Sequence, residues 1–284
     1  MKILCGIVTF NRQQLLNRCL KSIDNQSSRP NNILVINQGD VVNIPTLNTD
    51  IKLISQKNDG SAKGWFTAIK YALDNNYDYV WLMDDDGYSD FNALKNLINN
   101  FQPHYSCLSS VVLNQEIKDE LVFSMPHLNK NIFKIFGIKK LSDLKNKSKN
   151  NLYPFAHLFN GALINIKAVE KIGNINTNLK MYGEEVDYFY RLKKFGPIFT
   201  LVTSFHFHPS VKKKFIPEKI VFYFLRNSII NNNKYSNYKL VKNLLIIIIT
   251  LFRVYERNGI KFVIKFIFFS KYNLFKSIYH GFKK

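Results

Sequence analysis

The sequence predicts an α/β protein: a mostly parallel central sheet flanked by helices, followed by a C-terminal helical extension. Three observations predict it. Over the first hundred positions, short β-branched apolar runs alternate with apolar residues at helical spacing, the pattern of β-α-β units. The best-defined run, Tyr79 to Met83, ends abruptly in three acids, as a strand delivering side chains to one edge of a sheet would. After Pro209 the chain turns into basic, aromatic-rich stretches of helical character.

Ile3 to Val8 is the first strand, too short an apolar run for a signal peptide and turning polar at Thr9. Gln13 to Asn25 is a helix, with Leu15, Leu16, Cys19, Leu20 and Ile23 on one face. Ile33 to Ile36 and Ile51 to Ile54 are the next buried strands. Ala62 to Asn75 is a helix carrying Phe66, Ile69, Tyr71, Ala72 and Leu73, and Tyr79 to Met83 is the strand before the acids. From Asn114 to Asn151 periodicity is weak and polar residues dominate, which predicts a long excursion with short helices. Regular signals resume at Phe159 to Ile166, with a helix near Ala168 and another over Tyr182 to Phe195. A strand at Pro197 to Val202 leads into Phe205-His206-Phe207-His208. Tyr223 to Asn231 reads as helix. Leu244 to Phe252 and Phe262 to Phe269 are apolar but broken by Arg253, Arg257 and Lys265, short of the roughly 20 residues that span a bilayer.

A chain of 284 residues suits one large domain with an appendage, here 1–210 and 211–284. With 46% hydrophobic and 21% charged residues it can build a core, which excludes global disorder. From Val211 onward sixteen Lys or Arg face only Glu218 and Glu256, so +14 of the +20 formal charge sits there. Interleaved with aromatic and aliphatic residues, that charge predicts a segment lying on an anionic membrane surface. A helical bundle that packs on the first domain or mediates a homodimer is the competing reading. The surplus also raises nucleic-acid binding or a non-catalytic membrane scaffold, but acid clusters at strand and helix ends oppose a nucleic-acid partner. Cys5, Cys19 and Cys107 are too few and too scattered for a disulfide framework or zinc site and predict reduced thiols in a cytoplasmic setting.

Ligands of parallel sheets bind beyond the carboxyl ends of the strands, so the residues following each strand carry the candidates. Asp84-Asp85-Asp86 repel one another and gain nothing for folding. In an extended segment Asp84 and Asp86 project to one side, which suits a hard cation such as Mg²⁺ or Mn²⁺. A solvated acidic turn is the bland alternative. Tyr182-Gly183-Glu184-Glu185-Val186-Asp187 places several carboxylates at a helix start, where repulsion and burial can raise one toward neutrality for general-base work. An exposed helix N-terminus favoured by its dipole explains the same acids. His206 and His208 share one side of a strand, and either could bind metal. Asn58 to Trp65, with Lys63 and Gly64, joins a strand to a helix whose N-terminus can face phosphate, but it is not a Walker A sequence. Thr9-Phe10-Asn11-Arg12 could grip a nucleobase and pyrophosphate, with Asn11 otherwise serving as helix cap.

The ordered set of these segments, ending in His208-Pro209, resembles a family 2 glycosyltransferase over about residues 1 to 230. The Gly-rich segment before Trp81-Leu82-Met83-Asp84-Asp85-Asp86 is similar to bacterial galactofuranosyltransferases and rhamnosyltransferase-like enzymes. The resemblance implies a GT-A, Rossmann-like fold, a nucleoside-diphosphate sugar donor (UDP-sugar first, dTDP-sugar second) and inversion at the anomeric carbon. It implies a galactofuranose, galactose or rhamnose type of sugar, Mn²⁺ or Mg²⁺ as cofactor, and a glycan or lipid-linked acceptor of surface polysaccharide synthesis. The cysteines and the basic C-terminal region, rather than the resemblance, predict the place of action: cytoplasmic, peripheral on the inner face of the membrane. By the family carry-over Thr9, Phe10 and Arg12 would line the nucleotide pocket; Asn11, Asn58, Lys63 and Gly64 join them as donor-side candidates from their own segments. Asn37 or Gln38 stands where the family usually has an acid touching the base, a departure that leaves that contact open. Asp84 and Asp86 match the metal-binding acids and Asp85 lies near the donor sugar. Glu185 matches the catalytic base, with Glu184 and Asp187 in play. His208 is the better match for the later metal ligand and His206 the second. Asn160, Gly161 and Tyr182 fall to the acceptor side.

Overall fold

The computed structural model describes residues 1–128, 137–210 and 215–283. The first half runs β1 (Ile3–Thr9), α1 (Gln13–Asp24), β2 (Asn32–Asn37), β3 (Ile51–Ser55), α2 (Ser61–Asp74), β4 (Tyr79–Asp84), β5 (Tyr88–Ser89), α3 (Ala93–Asn100) and β6 (Cys107–Asn114). There follow β7 (Glu120–Met125), β8 (Ile138–Lys140), α4 (Leu141–Lys147), β9 (Leu152–Tyr153), β10 (Asn160–Asn165), α5 (Ile166–Ile172), α6 (Glu184–Phe195) and β11 (Ile198–His208). The C-terminal helices are α7 (Glu218–Tyr235), α8 (Lys239–Asn258), α9 (Ile260–Phe268) and α10 (Leu274–Phe282). The result is the expected mixed α/β architecture with a helical C-terminal part.

The described chain forms two compact units. The first comprises Met1–Asn58, Gly64–Ile175 and Arg191–Val211. Its sheet has the order β3-β2-β1-β4-β10-β6-β11-β5. The strands β3, β2, β1 and β4 are mutually parallel. β10 enters antiparallel between β4 and β6, and β11 runs parallel to β6. Strands in the middle of such a sheet are covered on both faces, which is why β1 and β4 read as unbroken apolar runs. Cys5, Ile7, Leu16, Leu20, Trp81 and Met83 lie in one buried cluster of this unit. Gly64 lets α2 reach β1: a Cβ there would stand 2.6 Å from Val8 Cγ1.

The segment 114–151 is more ordered than its polar composition predicts. β7, β8 and α4 lie within it, although 129–136 lie outside the described residues. Leu121, Met125, Ile138 and Leu144 form a second small core with Val111 and Val202. Four inward residues spread through a polar stretch are too sparse to register as a period, yet suffice to hold two short strands and a helix.

The second unit comprises Asp59–Lys63, Asn176–Tyr190 and Lys212–Lys284. Its core is built by Val221, Leu225, Val254, Val263, Phe266 and Leu274. The expected boundary between 210 and 211 falls at residues 211–214, outside the described residues. Among the described residues no helix is long and apolar enough to cross a membrane.

Candidate active site

In the sheet unit β1 and β4 are parallel neighbours in the register Val8 to Asp84, so both chains leave the sheet at the same edge. β4 ends at Asp84, and Asp85 and Asp86 lie in a turn, so strand alternation does not orient them. The Asp84 amide donates to Phe159 O at 2.9 Å, and its carbonyl receives Cys19 Sγ at 3.8 Å. Asp85 is buried and accepts from Thr9 Oγ1 at 2.6 Å and from Arg12 Nη1 at 3.0 Å. Desolvation pushes its pKa up, opposed by Thr9, Arg12 and the Phe10 amide. Arg12 also reaches Asp86 Oδ2 at 2.6 Å. Burial works to raise Asp86 too, but His208 and Arg12 outweigh it and hold that carboxyl below the usual range.

His208 completes this cluster. Its Nδ1 stands 2.7 Å from the Pro209 carbonyl, which can only accept, so Nδ1 carries the proton. Nε2 then faces Asp86 Oδ1 at 3.1 Å. Two acceptors at that distance need a proton or a cation between them. A carboxylate oxygen and an imidazole nitrogen whose tautomer is set by a backbone carbonyl form a donor pair that suits a divalent metal. Among the described residues no group of three or more His, Cys, Asp or Glu side chains converges as a metal cage.

His206 lies on the same buried side of β11 but has different surroundings. Its Nδ1 meets Ser89 Oγ at 3.1 Å, and a Cβ on Gly87 would stand 2.0 Å from its Nε2. Burial lowers its pKa to about 3, so it is neutral. Gly161, at φ +83°, forms a bulge in β10 against the His206 ring. Neighbouring Asn160 is buried, and its Oδ1 has no hydrogen-bond partner among the described residues.

The other donor-side candidates of this unit are arranged differently. Asn11, at φ +54°, is not the cap of α1, a position taken by Arg12. Its Oδ1 accepts from the Asp40 amide at 2.7 Å. Asn37 is buried and uses its amide on Asp40 O and its carbonyl on the Gly39 amide. Gln38 is buried beside Gly64, while Phe10 and Asn58 are exposed. Arg18 is a contributor that sequence reasoning missed. It bonds the Asp86 carbonyl at 2.6 Å and Gln115 Oε1 at 2.8 Å and lies over the Tyr88 ring, pinning the acidic turn. A lone Arg on the polar face of α1 gives no local signal of that.

In the second unit Glu184 starts α6 and is buried. Its Oε1 accepts from Ser61 Oγ at 2.6 Å, and its Oε2 has no hydrogen-bond partner among the described residues. Desolvation pushes its pKa up to about 7, with the Ser61 bond working the other way and Glu185 adding to the rise. Glu185 is half-buried. Asp187 is buried, and its Oδ1 is gripped by Lys234 Nζ at 2.8 Å and Tyr235 OH at 2.6 Å. Lys63 is exposed, and Lys180 pairs with Asp59. The loop before α6 passes through positive φ at Tyr182 and Gly183. α7 holds it there, as Asn227 Nδ2 donates to the Met181 and Tyr182 carbonyls and Asn231 Nδ2 to that of Gly183. Arg226 donates to Asn178 O at 3.1 Å. These buried polar residues of α7 were invisible in the sequence because Asn in a helix usually faces water.

The family model described as Glycosyl transferase family 2 matches residues 5–167. The chain is 28% identical over 225 residues to galactofuranosyltransferase GlfT1 of Mycolicibacterium smegmatis, covering 76% of this chain and 74% of that protein. Among solved structures, GalNAc-T7 with UDP, GalNAc and Mn²⁺ matches with a TM-score of 0.61 at 14% identity, over 84% of this chain and 49% of that one. The chain thus spans about half of GalNAc-T7. Mannosyltransferase PcManGT from Pyrobaculum calidifontis, with GDP-Man and Mn²⁺, matches with a TM-score of 0.54 at 12% identity, over 89% of this chain and 72% of that one. At these identities the structural matches establish the shared GT-A fold.

Proposed function

Because the chain belongs to glycosyl transferase family 2, we propose that it moves a galactofuranose-type sugar from a UDP donor to a hydroxyl of a glycan or lipid-linked acceptor, inverting the anomeric carbon with the help of a divalent metal. The observation that carries this reading is the convergence of Thr9, Arg12, Asp85, Asp86 and His208 at the carboxyl edge of β1 and β4. The similarity to GlfT1 supports the sugar. Nucleotides and Mn²⁺ in the two solved structures support the donor class and the metal.

Asp86 and His208 would hold the metal, with Asp84 as the further acid of the triplet. When bound, Mn²⁺ or Mg²⁺ would offset the charge of the departing diphosphate. Arg12, or alternatively Lys63, would supply a protein cation for the same diphosphate. Asp85, fixed by Thr9 and Arg12, orients Arg12 and borders the sugar. Glu185 takes the proton from the acceptor hydroxyl. That oxygen then bonds to the anomeric carbon as the bond from that carbon to the diphosphate oxygen breaks. Asp187 is engaged by Lys234 and Tyr235 and serves α6 rather than the proton. Glu184 is the second reading for the base, because a carboxyl titrating near 7 is matched to proton transfer at neutral pH.

A screen of UDP- and dTDP-sugars by thermal shift, with and without Mn²⁺, tests the proposal. The largest stabilisation is expected with UDP-galactofuranose plus Mn²⁺. No stabilisation by any UDP-sugar in either condition would contradict it.

A further inference from the structure

Helix α8 carries apolar side chains around more than half of its circumference. One side, with Val254 and Ile247, packs in the core of the C-terminal helices, and Leu251 lies at its edge. The other holds Leu240, Leu244, Leu245, Ile248, Ile249 and Phe252, exposed by 42 to 77%. At 3.6 residues per turn these six sweep about half the helix circumference as one continuous stripe. Soluble proteins rarely leave so much contiguous apolar surface without a partner. Lys242 and Arg253 stand at the border of the stripe, and both are exposed.

We infer that this face of α8 docks in the plane of an anionic membrane surface. Charge selects that occupant. The segment from 211 onward carries sixteen Lys or Arg against two Glu, and an apolar stripe with basic residues along its border is the composition that anionic headgroups attract. A second copy of the chain would instead bring two such segments together. No described helix is long and apolar enough to span, so the stripe enters the interface lying flat. The following helices carry further exposed apolar side chains, Phe268 and Phe275, each 61% exposed. The inference goes beyond sugar transfer and does not depend on it.

Co-sedimentation of the full chain with phosphatidylcholine vesicles, with or without phosphatidylglycerol, tests it. Binding is expected only with the anionic lipid and is expected to fall as salt rises. The double variant Ile248→Glu/Phe252→Glu should bind at least tenfold more weakly with an unchanged far-UV circular dichroism spectrum. Lys242→Ser/Arg253→Ser, which keeps the stripe, should weaken binding to anionic vesicles by roughly tenfold or more. Vesicle binding unaltered in both double variants would overturn the inference. So would a lipid-free dimer, seen by sedimentation equilibrium, that Ile248→Glu/Phe252→Glu converts to monomer.

Discussion

Glu184 offers a test that needs no substrate. Its carboxyl is buried at the start of α6, with one oxygen on Ser61 and the other without a hydrogen-bond partner among the described residues. An exposed glutamate titrates near 4.5, whereas burial brings this one to about 7. The folded chain therefore binds this proton more tightly than the unfolded chain does. The proton-linked stability is fully present below about pH 4.5 and is lost as pH rises through about 7. At ~1.4 kcal/mol per pH unit, the difference between the two values corresponds to ~3 kcal/mol. Glu184→Gln removes the ionisation but keeps an oxygen that accepts from Ser61. Any packing cost of the amide is the same at every pH, so the informative quantity is the slope of the difference. Urea denaturation of both proteins, followed by circular dichroism from about pH 5 to 8, should show the variant gaining on the parent by ~3 kcal/mol across that range. A difference that stays flat with pH would refute the buried, proton-holding carboxyl.

Two further outcomes follow from the cluster and from α6. Thr9→Val removes a buried donor from Asp85 and is expected to cost ~1–3 kcal/mol in urea denaturation, since a buried carboxylate loses one of its partners; unchanged stability would show that the bond contributes nothing. Glu185→Gln is expected to lower kcat roughly 100-fold or more while donor affinity by calorimetry stays within about threefold, the signature of a lost general base. If Glu184→Gln lowers kcat in this way and Glu185→Gln does not, the proton belongs to Glu184.

The fold was legible where the physics is local. β1, α1, β2, α2 and β4 announce themselves because parallel strands need unbroken apolar runs and their helices need one apolar face. β3 forms where Ile51 to Ile54 predicts a strand, but it is not a buried one: it lies at the edge of the sheet, carries Lys52, and is half-buried or exposed along its length. β6 escaped because Ser109 and Ser110 interrupt its apolar run. Buried inside the sheet, they are satisfied by His157 O at 3.1 Å and Ser204 Oγ at 2.8 Å, partners far away in sequence. The acid triplet stood out as a motif, but its alternation along an extended segment was the wrong local geometry: the chain turns at Asp85, and Arg12 and His208 draw Asp85 and Asp86 into the cluster. The same tertiary origin hid Arg18, Ser61 and the Asn227 and Asn231 amides. Each acts on a main-chain or carboxylate group that no sequence spacing connects to it.

In the proposed function the acidic turn holds a divalent metal together with the diphosphate of the donor. Calorimetry of UDP binding, with Mn²⁺ and with chelator, on the parent protein and on Asp86→Ala measures it most directly. Mn²⁺ is expected to strengthen UDP binding to the parent at least tenfold, and Asp86→Ala is expected to lose this gain. Binding that is indifferent to Mn²⁺, or a gain that survives in Asp86→Ala, would contradict it.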